Sequence, residues 1–150
     1  MSGQIRGIEL MSVESILAPL FVEVALTFGL LFHMGYLRVG AVRRGDVRLK
    51  DVALGQYNWQ TPAIQVSNSY SNQFELPVLY FVLTILALGL RKADLLFVIM
   101  SWIFVVTRLF HALVHVTTNS MVRRFYIFAA GALVLLIMWI IFAVRVLLAL

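Results

Sequence analysis

Residues 67–83 read SNSYSNQFELPVLYFVL, a polar run with one acid, Glu75, that passes directly into uninterrupted apolar sequence. The apolar half continues to Leu90, and the polar half follows Thr61-Pro62, a cap with proline at the first helical position. Thr61 to Leu90 is therefore predicted as one helix. It is longer than the ~20 residues that cross hydrocarbon, so its first third lies outside the apolar layer or under other protein. On that helix Asn68, Asn72 and Glu75 stand at i, i+4 and i+7 and share one face. Pro77 falls inside it, depriving the Gln73 carbonyl of its amide donor and bending the axis just past Glu75.

The other segments have the same length scale. Of 150 residues, 62% are hydrophobic and only 13% charged, with a mean hydropathy of +0.96. A soluble domain this small cannot hide so much apolar surface, so the chain reads as an integral membrane protein. Three further spans are predicted at about 14–37, 95–116 and 123–147. Ser15 is the expected cap of the first, with Pro19 in its first turn, and Asp94 caps the third. Residues 1–13 are expected outside the bilayer, and the first span, lacking a basic lead into an A-x-A site, is read as retained. No repeat or linker divides the sequence, which gives one domain over residues 1–150, an all-α membrane four-helix bundle. With no cysteine there is no disulfide and no protein thiol nucleophile.

A net charge of +5 and a pI near 10.1 could suit nucleic acid, but the basic residues lie mainly between spans, where they act as topology signals. Arg38, Arg43, Arg44, Arg48 and Lys50 follow the first span and Arg123 and Arg124 open the fourth, against Arg6, Arg91, Lys92 and Arg145 on the opposite side. Both termini are thus expected outside, with the first and third loops cytoplasmic and the rings of Tyr57 and Trp59 in the headgroup layer. This topology brings Arg38, Asn68, Asn72, Glu75, Arg108, His111, His115 and Arg124 to one membrane side at overlapping depths.

Arg108, His111 and His115 form a second polar stripe at i, i+3 and i+7 of an otherwise apolar helix. Exposing such a group to lipid costs about 3 kcal/mol, so the stripe faces the bundle interior or a watery cavity. Glu75 is the natural partner of Arg108, either as a tie between helices or as part of a site. His111 and His115 have the i, i+4 spacing of a metal pair, but the intervening Ala-Leu-Val carries no HExxH glutamate, and no metal is assigned. Only one of Arg123 and Arg124 can point inward, since helix neighbours diverge by about 100°. An inward guanidinium beside a thiol pulls its pKa below the free value of ~8.5. Glu23 either faces an oligomer centre or is protonated and hydrogen-bonded, and His33 is read as a packed interfacial residue. Gly29, Gly35 and Gly131 permit close helix approach.

Four short-looped spans, N-x-x-E at Asn72 and Glu75, R-x-x-H at Arg108 and His111, and Arg124 followed by Phe128 and Gly131 resemble the MAPEG family, membrane-associated proteins in eicosanoid and glutathione metabolism, and its bacterial branch in particular. The resemblance covers nearly the whole chain. It implies a homotrimer in a bacterial inner membrane, with glutathione bound between subunits towards the cytoplasmic side and a lipophilic electrophile or lipid hydroperoxide arriving from the bilayer. Asn72 and Glu75 would bind the peptide, joined by Asn68, His115 and Arg38; Arg124 would stabilise the thiolate while Arg108 and His111 tune protonation. Glutathione-using members commonly carry Arg at the position of Asn68 and often tyrosine at that of His115. A lost guanidinium removes a charge-assisted bond worth roughly 1.5–3 kcal/mol. The alternative implied is a non-catalytic module of the same fold, an assembly subunit or lipid-binding protein.

Overall fold

The computed structural model describes residues 11–53, 55 and 58–148, so the expectations for residues 1–10, including Arg6, and for Tyr57 lie outside the described residues. Among the described residues all regular structure is helical: α1 (Val13–Arg43), α2 (Leu49–Val52), α3 (Thr61–Ser71), a 3₁₀ turn (Asn72–Phe74), α4 (Leu76–Gly89), α5 (Leu95–Val116) and α6 (Met121–Leu147). Four stretches are long and apolar enough to cross a membrane, namely α1, α3 with α4, α5 and α6.

The helix ends follow local chemistry. Asp94 caps α5 as expected, its carboxylate accepting from the Phe97 N–H at 3.0 Å. At α1 the cap is Ser12 and not Ser15: the Ser12 hydroxyl accepts from the Ser15 N–H at 3.3 Å. The earlier start places Pro19 inside α1 and not in its first turn. Likewise Gln60, not Thr61, is the N-cap residue of α3. Arg91 and Asn119 adopt left-handed backbone, with φ of 54° and 47°, and their turns close α4 and α5. The Lys92 N–H there bonds the Ala87 carbonyl at 2.8 Å and the Asn119 N–H that of Val114 at 2.7 Å.

The predicted continuous second helix is broken. Asn72–Phe74 tightens into a 3₁₀ turn, and Glu75, with φ −100° and ψ −103°, separates α3 from α4. Pro77 consequently lies in the first turn of a new helix, where its missing N–H costs nothing, and the change of direction falls at Glu75 and not beyond it.

Helix α5 is the centre of the bundle. Phe97, Val98, Ser101, Phe104, Val105, Arg108, His111, Ala112 and His115 form one buried stripe at three- and four-residue spacing, so polar residues continue the line begun by aromatics. The stripe packs against α1, α3 and α6. Tyr80, Leu83 and Ala87 of α4 complete the core with Leu135 and Met138 of α6. Gly131 of α6 meets α5 so closely that an added Cβ would stand 2.6 Å from Thr107 Oγ1. Gly29 and Gly35 have nothing within 4 Å of such a Cβ, so neither mediates helix approach within the chain. His33 is exposed and not packed, on a helix whose Phe28, Phe32 and Tyr36 also face outward.

Candidate functional site

The break in the second span and the polar stripe of α5 meet. Arg108 is buried to 1% exposure and donates from Nη2 to the Asn72 carbonyl at 3.1 Å, the same carbonyl that accepts the Glu75 N–H at 3.4 Å. A backbone oxygen at the end of α3 thus gains a cationic donor, a charge-assisted bond stronger than a neutral one. The expected ion pair with Glu75 is not formed. Among the described residues the ion pairs are Arg44–Asp46, Arg48–Asp51 and Arg145–Asp94, and Glu75 is exposed.

Glu23 takes the place in the interior that Glu75 was expected to hold. It is wholly buried within the bundle, so it does not face an oligomer centre, and it lies within electrostatic range of Arg108. Register explains the meeting. The Met11 N–H bonds the Ala93 carbonyl at 3.5 Å, aligning α1 with α5 at one end. From that tie Glu23 is twelve residues along and Arg108 fifteen, which at ~1.5 Å per residue leaves them about one turn apart in depth. A signal existed in the sequence: an acid deep in an apolar span is stabilised by a cation at its own depth, and Arg108 is the arginine that lies mid-span.

Toward the other side of Arg108 lies an open cavity of about 200 Å³ lined by Asn72, His111, Met121, Arg124, Phe125 and Phe128. Arg124 is half-buried and Arg123 exposed, so Arg124 is the inward member of the pair. The Arg124 Nη1 donates to the Asn119 side-chain oxygen at 2.8 Å, an amide supplied by the left-handed turn just before α6. Phe128, one turn further along, lies 5.8 Å from the His111 ring and 5.9 Å from the Arg108 guanidinium. His111 and His115 stand edge to face at 5.8 Å. Sequence reasoning missed Met121 and Phe125 as walls, because apolar residues opening a membrane helix carry no mark of a cavity.

The cluster holds unused hydrogen-bonding capacity. Arg108 Nε and Nη1, Arg124 Nε, His111 Nδ1, both His115 ring nitrogens and both Glu23 oxygens are buried without a hydrogen-bond partner among the described residues. Buried polar atoms are ordinarily paired, and this concentration of cationic donors and imidazoles in one place suits an anionic ligand. Of the predicted site residues, the structure thus brings together Asn72, Arg108, His111, His115 and Arg124. Asn68 and Glu75 lie exposed on the outer surface of the second span. Arg38 does not line this cavity within one subunit; it donates to the Ser67 hydroxyl at 3.1 Å and lies 5.0 Å over the Trp59 ring.

A model of the MAPEG family matches residues 16–144. No curated protein and no solved structure matches the chain. The family match spans all four membrane helices and the whole polar cluster, and the chain therefore belongs to the MAPEG family, a family of membrane proteins of eicosanoid and glutathione metabolism.

Proposed function

We propose that this protein is a glutathione-dependent transferase or peroxidase acting on lipophilic electrophiles or lipid hydroperoxides. The observation that carries the reading is the half-buried Arg124, with Nε unpartnered, in a cavity that also contains His111 and the Asn72 end of the broken helix. Arg124 lies in the first turn of α6, where the helix dipole adds positive potential, so an anion there meets two favourable fields. Glutathione would supply a thiolate that bonds to an electrophilic carbon as the leaving group departs. With a hydroperoxide, two glutathiones would become disulfide as the peroxide becomes alcohol and water. Arg124 would hold the sulfur ionised, His111 would carry a proton beside it, and Arg108 would keep the Asn72 segment in place.

The cavity of about 200 Å³ is smaller than the ~300–1,000 Å³ usual for ligand pockets, so one subunit offers part of a site. A homotrimer, in which a neighbour covers the exposed Asn68 and Glu75, would complete it. We further propose a bacterial inner-membrane location with both termini outside, the orientation resting on the seven basic residues, Arg38, Arg43, Arg44, Arg48, Lys50, Arg123 and Arg124, gathered at one end of the spans. Asn68, an exposed amide at the position of the family arginine, favours the second reading, a non-catalytic module of the same fold.

Isothermal titration of glutathione into the purified oligomer tests this, followed by conjugation and peroxidase assays. Binding lost in Glu75→Gln and weakened in Arg124→Ala supports the enzyme. Absence of binding and of thermal protection at millimolar glutathione rejects it in favour of the module, and monomers alone on crosslinking reject the trimer.

A further inference from the structure

Arg108 stands between an interior acid and the open cavity. Two acids act on its charge, and the wholly buried Glu23 does so more strongly than the exposed Glu75. On the cavity side its guanidinium lies 5.9 Å from the ring of Phe128, one wall of the Arg124 cavity, while Nη2 donates to the Asn72 carbonyl at 3.1 Å. Asn72 is a wall of the same cavity. The other donors of Arg108, Nε and Nη1, have no hydrogen-bond partner among the described residues.

Little else near Glu23 can compensate its charge. Thr27, one turn along α1, donates to the Glu23 backbone carbonyl at 3.1 Å. Thr84 and Ser101 flank Tyr80, which lies within range of the Glu23 charge. Their hydroxyls donate to the Tyr80 and Phe97 carbonyls at 2.9 and 2.8 Å, so those protons are spent on backbone. The neutral Tyr80 hydroxyl can lend a hydrogen bond but no charge, which leaves Arg108 as the cation that offsets a buried carboxylate. A guanidinium held by a carbonyl alone would be drawn by hydration toward the open cavity. The Glu23 carboxylate, on the interior side, pulls the other way.

We propose that Glu23 is a positioning residue of the candidate site: its carboxylate holds Arg108 back from the cavity and over the Asn72 carbonyl, so that the end of α3 and the break before α4 keep one conformation. Asn72 is then a fixed wall, and the cavity stays open to a ligand instead of being filled by Arg108. Only the identity of that ligand, glutathione, rests on the function proposed above.

Hydrogen–deuterium exchange of the full chain in detergent micelles, without ligand, tests the hold. In Glu23→Gln, which keeps the size of the side chain and removes its charge, the amides of residues 72–78 should exchange roughly tenfold or more faster, as for a lost charge-assisted bond. The turn at residues 90–93, about 22 Å from Arg108 along α5, should be unaffected. Glu23→Asp, charged but one methylene shorter, should show the same pattern at smaller amplitude, and it keeps the proposal testable if Glu23→Gln folds poorly. In an Arg108→Met background Glu23→Gln should add no acceleration at 72–78. Equal acceleration at both turns would make Glu23 a general support of the bundle and overturns the proposal. So does unchanged exchange at 72–78, or an acceleration that persists without Arg108. Isothermal titration of glutathione then separates the two readings. Weaker affinity in Glu23→Gln supports positioning of the site, and equal affinity overturns it; no binding to the wild type, with the exchange pattern intact, rejects glutathione and leaves Glu23 in its role.

Discussion

Gly131→Ala probes the contact that holds α6, and with it Arg124, against α5. The added methyl would lie 2.6 Å from Thr107 Oγ1 and 3.6 Å from Thr107 Cβ, where ordinary contact begins at 3.4 Å. Thr107 cannot yield cheaply. Its hydroxyl donates to the Phe104 carbonyl at 2.6 Å, and rotation about a β-branched χ1 exchanges hydroxyl for methyl in the same space. The helices must therefore part, at an overpacking cost of about 1–3 kcal/mol, offset by up to ~1 kcal/mol from the better helix propensity of alanine. A net loss of about 1–2 kcal/mol is expected in the wild-type background. With Thr107→Ala already present the clashing atom is gone, and Gly131→Ala should be neutral or slightly stabilising, a coupling of about 2 kcal/mol. The cycle is measured by denaturant unfolding in mixed micelles. An equal cost of Gly131→Ala in both backgrounds would refute the close-contact reasoning. Arg124 lies seven residues earlier, two turns along the same side of α6, so a displaced helix should also weaken glutathione binding.

Glu23→Leu strands Arg108 in the interior and should cost about 3–5 kcal/mol, while Glu23→Leu with Arg108→Met should recover most of that; a double variant no more stable than the worse single one would show that the two charges do not interact. Burial alone would raise the pKa of Asp94, but hydrogen bonds from Arg145 and the Phe97 N–H, with the charge of Arg145, outweigh it and hold the carboxyl below its ordinary value. Its stabilisation is therefore complete above the unfolded pKa of ~3.9 and lost as pH falls through the folded value. Melting temperatures of wild type and Asp94→Asn should differ near neutrality and converge in acid; parallel curves would contradict the assignment. Asn68→Arg should tighten glutathione by roughly one to two decades, with a salt-dependent affinity measured by titration; an unchanged affinity would place that surface outside the site.

The bundle, its four spans and the clustering of polar residues at one end were legible because each depends on properties read along the chain. Hydropathy defines a span whatever it packs against, and the three- and four-residue spacing of Arg108, His111 and His115 puts them on one face in any helix. The Asp94 cap was equally local. What escaped was set by neighbours. Glu75 sits at a polar–apolar junction and Glu23 deep in an apolar span, and while depth pairs Glu23 with Arg108, nothing in the residues flanking Glu75 says that it turns outward. Tertiary structure decided it: the 3₁₀ turn rotates Glu75 outward, while the tie between Met11 and Ala93 sets Glu23 at the depth of Arg108. Arg38, which depth and the family resemblance grouped with the thiol site, is within one subunit held by Ser67 and Trp59 and lines a different cavity. The sequence thus determined the spans, and the end of the bundle and the depth at which each polar residue lies, since rise per residue and hydropathy act in one dimension. Azimuth around the bundle, and therefore which charges meet, depends on how the helices pack.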